Sequence, residues 1–313
     1  MAAEEYLSSS RTPDRELSRA EHGPLPLGLL IALRPKQWTK NGLLFIGLIF
    51  SRNLADQTLI LTCLEGFILF CALASGIYLV NDLADLQKDR SHPRKRLRPI
   101  ASGWVSPRLA ATTATLLLGL GIPAGFLINM PFGLLGLGYV VLTLAYTFVL
   151  KHMVIMDVFS LAAGFVVRAV AGGVAIAVPI SPWLYVCTVL GALFLGISKR
   201  RHELVLLNGN ANSHRPILQE YTPLLLEQMN SVVTSALVMA YSLYTFSAPN
   251  LPQSHAMMLT IPFVLYGIFR YLYLIHIKDE GGSPEELLLK DRPLLVDAIL
   301  WVLASVAILY LAD

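Results

Sequence analysis

Residues Asn81–Arg98 read N-D-L-A-D-L-Q-K-D-R-S-H-P-R-K-R-L-R, and the rest of the chain is best interpreted outward from them. The stretch follows a long apolar run and places three aspartates before a dense group of lysines and arginines. A helix advances by about 100° per residue, so Asn81, Asp85 and Asp89 drift by only about 40° at each step of four. Asp82 lies about 100° from Asn81, and the four side chains therefore fit within roughly one quadrant of a helix.

Carboxylates crowded at the end of an apolar helix repel one another unless a cation lies among them. Oxygen ligands of this kind suit Mg²⁺, which keeps several waters and bridges to phosphate groups. The basic run that follows is suited to clamping phosphate; its candidates are Arg90, Lys95, Arg96 and Arg98. The alternative interpretation is a solvated helix end followed by a positively charged loop.

Composition indicates an all-α polytopic membrane protein. Of the 313 residues, 55% are hydrophobic and only 14% are charged, with a mean hydropathy of +0.60. A soluble domain carries nearer 25% charged residues. Residues 1–24 are polar and are expected to be a mobile cytoplasmic tail, whereas residues 25–313 are expected to form one transmembrane domain. Three cysteines without paired spacing favour neither a disulfide framework nor a zinc site.

About nine apolar stretches are long enough, or nearly so, to cross a bilayer as helices. They are residues 27–50, 58–80, 109–128, 132–150, 153–177, 182–198, 229–247, 256–275 and 294–311. Lysine and arginine gather in alternate loops, so the positive-inside rule places the N-terminus and these loops in the cytoplasm. The expected location is a cell (inner, cytoplasmic) membrane, with the polar chemistry on the cytoplasmic side and lipids around the bundle.

Polar side chains at the ends of several stretches are candidates for substrate binding. Lys36, Lys40 and Asn41 lie at the start of the first stretch, where a phosphate contact and a simple interfacial collar are both open. Tyr146 and Lys151 precede the fifth stretch.

Two ionisable residues lie within the fifth apolar stretch. Asp157 is about one turn inside it, and an intramembrane carboxylate requires a cation or a partner, for which Lys151 and Arg168 are candidates. Arg168, 11 residues further on, must find a partner on another span or face a ligand. Small residues around it allow close helix packing.

The sixth stretch ends in S-K-R-R-H-E-L, residues 198–204. Lys199 and Glu203 are spaced to pair along a helix. Alternatively, Lys199, Arg200 and Glu203 belong to a second phosphate-binding region that faces the aspartates. The chain contains no phosphate loop, zinc signature or dinucleotide fingerprint, and no nucleic-acid partner is expected.

The pattern N-x-x-x-D-x-x-x-D at Asn81, Asp85 and Asp89 resembles the motif of the UbiA superfamily of intramembrane transferases. The resemblance covers about residues 25–313, and nine spans with cytoplasmic active-site loops also fit that family. Classical members have a second aspartate-rich motif in loop 6–7, where this chain reads K-R-R-H-E-L. Together with R-P-K-Q-W-T-K-N and L-K-H-x-x-x-x-D, this departure makes the chain similar to the decaprenyl-phosphate phosphoribosyltransferase branch.

The resemblance implies transfer of 5-phosphoribose from phosphoribosyl pyrophosphate to a polyprenyl (decaprenyl) phosphate, for cell-envelope arabinan. It implies Mg²⁺, with Mn²⁺ as a substitute, held by Asn81, Asp85 and Asp89, with Asp82 beside them in the catalytic group. Oligomers occur in the family, so a homo-oligomer is also an expectation.

Two other functions stay open. One is an aromatic prenyltransferase of the same superfamily, which uses a polyprenyl diphosphate and against which the missing second motif weighs. The other is a non-enzymatic transporter of a lipid phosphate, although the sequence has no internal repeat.

Overall fold

The computed structural model describes residues 23–93, 95–179, 181–206, 216–248, 251–278 and 284–311. Most of the predicted N-terminal tail, residues 1–22, lies outside the described residues, as does part of loop 6–7, residues 207–215. Within the described ranges every regular element is helical and no strand occurs. The prediction of an all-α protein is therefore confirmed.

Twelve α-helices are described, and short 3₁₀ helices connect several of them. The α-helices are α1 (Leu25–Ala32), α2 (Phe45–Phe50), α3 (Gln57–Ala84), α4 (Leu86–Ser91), α5 (Pro107–Ile128), α6 (Met130–Phe148), α7 (Met156–Ala175), α8 (Pro182–Leu206), α9 (Pro223–Ser247), α10 (Ile261–Ile277), α11 (Pro284–Lys290) and α12 (Arg292–Leu311). The 3₁₀ helices are Pro35–Leu44, Lys95–Leu97, Leu150–His152, Pro216–Glu220 and Ala256–Thr260.

Seven helices in the described part of the chain are long and apolar enough to cross a membrane, so this is a multi-pass membrane protein. The count of nine stays a prediction. Helix α9 contains the predicted stretch 229–247 but is not among the seven, because its asparagine, serine, threonine and tyrosine residues lower its hydropathy.

The prediction that residues 27–50 form one continuous helix is wrong. The chain there forms α1, a 3₁₀ helix over Pro35–Leu44, and α2. Proline disfavours the α conformation in the residue before it, and Arg34, which precedes Pro35, has a positive φ of 56°. The break therefore comes where the sequence reads R-P.

The chain forms two compact units. The first contains the described residues up to Trp38 together with Cys71–Ile122. Its apolar core joins α1, the second half of α3 and the first half of α5, through residues that include Ala32, Leu79 and Ala110. The segment after α4 adds Ile100 and Val105 to this core, which fixes the chain just beyond the basic run.

The second unit contains Thr39–Phe70 and the residues from Pro123 onward. Helix α8 packs between α7 and α9, and α7 also contacts α6 and α2. Close approach to α7 depends on glycine: a Cβ added at Gly172 would lie 1.9 Å from the carbonyl oxygen of Leu44. The small residues of α7 therefore do allow the close packing expected from the sequence.

Candidate functional site

The acidic motif of the first unit spans the junction between α3 and α4. Helix α3 ends at Ala84, and Asp85 has φ −92° and ψ 7° at the break. Helical hydrogen bonds nevertheless continue through it, from the amide of Asp85 to the carbonyl of Asn81 (3.0 Å) and from the amide of Asp89 to that of Asp85 (2.8 Å). The three motif residues thus keep the fourfold spacing that the sequence predicted.

Arginines, not other carboxylates, contact the acids of this motif. Arg98 Nη1 lies 3.1 Å from Asp82 Oδ1 and 2.6 Å from Asp89 Oδ2. Arg34 Nη2 lies 2.5 Å from the same oxygen of Asp82, and its guanidinium stacks over the ring of Tyr78. Both aspartates are buried, so these cations offset the cost of two closely spaced negative charges. We call Asp82, Asp89, Arg34 and Arg98 the acidic cluster.

The acidic motif fits a metal ion that has few protein ligands and completes its coordination with other groups. Within the described ranges no group of three or more His, Cys, Asp or Glu side chains could hold a metal ion. Asn81, Asp85 and Asp89 offer one amide and two carboxylates on successive turns. That set suits Mg²⁺, which commonly binds one or two carboxylates and completes its shell with water and phosphate.

The other basic candidates of this unit lie nearer solvent or lipid. Arg90, Lys95 and Arg96 are exposed, as is Lys36 on the 3₁₀ helix after α1. Among the basic-run residues that the structure describes, Arg98 alone turns inward, because the adjoining Pro99 and Ile100 are buried.

A buried polar network occupies the second unit where α7 begins and α8 ends. Arg200 Nε lies 2.6 Å from Asp157 Oδ2, and both side chains are almost fully buried, at 1% and 0% exposure. Arg200 also donates to Glu203 at 2.6 Å and to the hydroxyl of Tyr146 at 3.3 Å. With Tyr221, described next, these residues form what we call the Arg200 network.

Tyr221 joins this network to a strained turn. Its hydroxyl donates to Asp157 Oδ1 at 2.7 Å and accepts from the amide of Ile155 at 2.6 Å. Ile155 has φ 68° and ψ −46°, and the amide of Met156 reaches the carbonyl of Val154 at 2.7 Å. This is a γ-turn of the rare form, which is costly for a β-branched residue and persists only where its surroundings hold it.

Burial and the hydrogen bond to Asp157 raise the pKa of Tyr221 to about 12. The phenol is therefore protonated at neutral pH and remains a donor to the carboxylate.

Arg168 finds partners on other segments, which is one of the two outcomes expected for it. It does not pair with Asp157; it donates instead to Asn41 Oδ1 (2.7 Å), the carbonyl of Gly164 (2.8 Å) and the hydroxyl of Tyr139 (2.6 Å). Its guanidinium also lies over the ring of Tyr139. Only 6% of Arg168 is exposed, and among the described residues these contacts are neutral. Within the described part of the chain, the charge of Arg168 is thus buried without a carboxylate beside it.

The remaining candidates of this unit are half-buried. Lys199 interacts electrostatically with Glu203 and also with the like charges of Lys40 and Arg200. Lys151 lies on the 3₁₀ helix that leads into the turn at Ile155. Asp157 pairs with Arg200 on α8, a helix that the sequence interpretation did not connect to it.

Sequence reasoning missed Arg34, Tyr139 and Tyr221 as site residues. Arg34 was considered only as one of the positive charges at the start of the first apolar stretch. Tyr139 lies in a mostly apolar stretch, where nothing marks it as a site residue. Tyr221 lies near the end of residues 208–223, a polar segment between the sixth and seventh apolar stretches. Its one available signal was a lone aromatic just before a T-P helix start.

Comparisons with known proteins agree on a family. The model of the UbiA prenyltransferase family matches residues 43–288. A decaprenyl-phosphate phosphoribosyltransferase of Corynebacterium glutamicum is 36% identical over 294 residues, which cover 91% of this chain and 87% of that protein. The enzyme of the same name from Mycolicibacterium smegmatis is 34% identical, covering 88% of this chain and 90% of its own.

A solved structure also shares the fold. The UbiA homolog from Archaeoglobus fulgidus bound to GPP and Mg²⁺ superposes with a TM-score of 0.68 at 20% identity, covering 90% of this chain and 99% of that one.

Proposed function

The chain belongs to the UbiA prenyltransferase family, and we propose that within it the protein is a decaprenyl-phosphate phosphoribosyltransferase. The donor is phosphoribosyl pyrophosphate, the acceptor is a polyprenyl phosphate, and pyrophosphate is released. The observation that carries this proposal is identity of 33–36% to enzymes of that name across about nine-tenths of the chain.

The charged residues at the end of α8, which the sequence analysis assigned to loop 6–7, support the same choice. A transferase that uses a prenyl diphosphate through two metal clusters needs acidic residues there. This chain instead has Lys199, Arg200 and Arg201, and the described carboxylate, Glu203, already pairs with Arg200. Cations at this position suit direct contact with phosphate oxygens.

Asn81, Asp85 and Asp89 are the proposed metal ligands. Their side chains follow one another through the α3–α4 junction, and Asp89 already attracts a cation in this structure. A UbiA homolog of the same fold is described with Mg²⁺. When bound, Mg²⁺ neutralises charge that develops on departing pyrophosphate.

The chain's remaining task is to position two anionic substrates. The bond from ribose C1 to pyrophosphate breaks, and a bond from C1 to an oxygen of the lipid phosphate forms. The attacking lipid phosphate is already ionised at neutral pH, so no general base is required. The ring oxygen shares positive charge at C1 in the transition state. Holding the lipid phosphate in line behind C1 can lower the barrier by about 7–11 kcal/mol when alignment is good.

Three phosphate groups need cations. Arg168 is suited to an anion because its described partners leave its charge uncompensated. Lys40, Lys151 and Lys199 are half-buried and could reach a ligand without unfolding a helix. The remaining proposed contacts are Lys36, Asn41, Arg90, Lys95, Arg96 and Arg98. Tyr146, Asp157, Arg200 and Glu203 belong to the Arg200 network, and their proposed part in substrate binding is to hold the turn at Ile155 in place. The positive-inside rule places these on the cytoplasmic side.

The test incubates membranes containing the protein with ribose-labelled phosphoribosyl pyrophosphate, decaprenyl phosphate and Mg²⁺. We expect label in the lipid phase, none when the lipid is omitted, and none with Asp89→Asn. A parallel reaction supplies prenyl-labelled polyprenyl diphosphate and an aromatic acceptor. Label only in that second product would replace the proposal with prenyl transfer. No product in either reaction, with lipid phosphate crossing vesicle bilayers, would identify a transporter.

A further inference from the structure

Arg98 lies in the place where the acidic motif needs a cation. A single nitrogen, Nη1, contacts Asp82 Oδ1 at 3.1 Å and Asp89 Oδ2 at 2.6 Å. The two aspartates are seven residues apart, which is two helical turns, so they share one face. Their side chains are each 3% exposed, whereas that of Arg98 is 28% exposed and can move outward.

The local fold delivers this one arginine and leaves its neighbours outside. A 3₁₀ helix over Lys95–Leu97 is closed by the amide of Arg98 bonding to the carbonyl of Lys95 at 2.9 Å. Leu97 on the same turn is 74% exposed, while Pro99 and Ile100 are buried directly after it. Arg98 is therefore positioned by the backbone, which is a more specific arrangement than general attraction within a basic run.

Arg98 and a metal on Asp89 would compete. Asp89 is a proposed metal ligand, and a divalent ion bound to it would lie within a few ångströms of the guanidinium. Two positive charges at such a separation repel one another, and the repulsion is stronger in a buried site than in water. Asp82 differs, because Arg34 contacts it as well, at 2.5 Å, and keeps its charge compensated when Arg98 leaves.

We propose that Arg98 is a resident counter-ion of the acidic motif, which must release Asp89 before a divalent metal binds there and which then contacts the pyrophosphate group. Asp82 is the fixed anchor of Arg34, and Asp89 is the exchangeable carboxylate. The metal alone then binds weakly, and the metal together with pyrophosphate binds strongly, because the anion gives Arg98 a new partner. This proposal rests on the proposed function only for the identity of the anion.

The test measures Mn²⁺ affinity of the purified protein by electron paramagnetic resonance, without substrates. Mn²⁺ can bind only to molecules in which Arg98 has released Asp89, and the apparent affinity is reduced in proportion to that fraction. Removing the Arg98 guanidinium should therefore strengthen Mn²⁺ binding. We expect Arg98→Gln to bind Mn²⁺ at least about fivefold more tightly than the native protein. Lys88→Gln is the matched control, because Lys88 is exposed in α4 and this substitution removes the same charge from the same stretch. The Mn²⁺ affinity of this variant should differ from that of the native protein by less than about twofold. Asp89→Asn should lose the signal, which locates the ion.

A second measurement adds inorganic pyrophosphate. It should tighten Mn²⁺ binding to the native protein and do so much less in Arg98→Gln. If Arg98→Gln does not fold, Arg98→Lys retains the charge but ends short of both carboxylates, and a smaller gain in Mn²⁺ affinity is expected.

Mn²⁺ binding in folded Arg98→Gln no tighter than in Lys88→Gln would overturn the proposal and leave Arg98 as a structural ion pair. Where only Arg98→Lys folds, no gain there would have the same consequence. Because Mn²⁺ is measured without substrate, this result is independent of whether phosphoribosyl transfer is detected.

Discussion

The acidic cluster of the first unit and the Arg200 network of the second both pair arginine with aspartate, but they differ in access. In the acidic cluster the arginine side chains are 26% and 28% exposed. In the Arg200 network the arginine is 1% exposed and its aspartate 0%. Arg200 has three side-chain partners, and Asp157 is also held by Tyr221.

The difference separates exchangeable charge from fixed charge. An arginine that is about one-quarter exposed can leave a carboxylate for water or for a ligand at a smaller cost than a buried one. A fully buried pair cannot, because removing one partner leaves an uncompensated charge in a medium of low dielectric constant. We therefore assign ligand exchange to the acidic cluster and positioning of the turn at Ile155 to the Arg200 network.

The largest expected effect is on turnover in the first unit. Asp85→Asn and Asp89→Asn should each lower kcat by more than about 100-fold, since a bound metal contributes several kcal/mol of charge stabilisation. Thermal unfolding in detergent should change little for Asp85→Asn. For Asp82→Asn we expect the loss of stability to be larger than for Asp85→Asn and the loss of kcat to be smaller, because Asp82 compensates the charges of both Arg34 and Arg98. Normal turnover of Asp85→Asn in Mg²⁺, at matched protein levels, would remove the metal assignment.

The next effect is on stability in the second unit. Arg200→Met should destabilise the protein by about 3–5 kcal/mol, because it strands the buried carboxylate of Asp157. The control is Arg201→Met, one residue along. Arg201 is 13% exposed and also donates to the carbonyl of Ile275 at 3.1 Å, but its partner Glu227 is 39% exposed. That variant should lose less, about 1–2 kcal/mol, because it strands no buried carboxylate. The measurement is the unfolding temperature of both variants in one detergent; equal losses would show that burial does not distinguish the two pairs.

Sequence and structure agree where periodicity carries the information. The fourfold spacing of Asn81, Asp85 and Asp89 is a local property of a helix, so it could be predicted and it survives the break at Asp85. The apolar stretches predicted most of the helices for the same reason.

Contacts between distant segments could not be predicted. Nothing in the sequence connects Asp157 with Tyr221, 64 residues away, or Arg168 with Asn41, 127 residues away. The break within residues 27–50 was signalled by Arg34-Pro35, but the apolar residues on both sides of it outweighed that signal.

Tyr221→Phe sharpens the role of the Arg200 network. Losing the hydroxyl removes one bond to Asp157 and one to the amide of Ile155, and it should cost about 1–3 kcal/mol. If the turn positions Lys151, KM for a substrate should rise while kcat changes less. Leu218→Ala is the comparison, since Leu218 is buried on the preceding 3₁₀ helix without a polar role. If Tyr221→Phe and Leu218→Ala lose equal stability and change KM equally, the Tyr221 hydroxyl has no specific role and Tyr221 contributes only through packing.

The smallest effect concerns an ion pair that resembles the acidic cluster in exposure but lies between α10 and α12. Arg270 donates two hydrogen bonds to Asp291, at 3.1 and 2.7 Å. These bonds hold the pKa of Asp291 below its usual range. A carboxyl whose pKa is lower in the folded state stabilises the fold above its unfolded pKa, about 3.9, and loses that contribution as pH falls through the lower folded value. The unfolding temperature of the native protein should therefore decline more steeply below about pH 4 than that of Asp291→Asn, with the two variants differing by a constant amount at neutral pH. Parallel curves below pH 4 would mean that this pair, with Arg270 28% and Asp291 11% exposed, contributes nothing measurable to stability. Partial exposure of the arginine would then be enough to identify the ion pairs of this protein that can be exchanged.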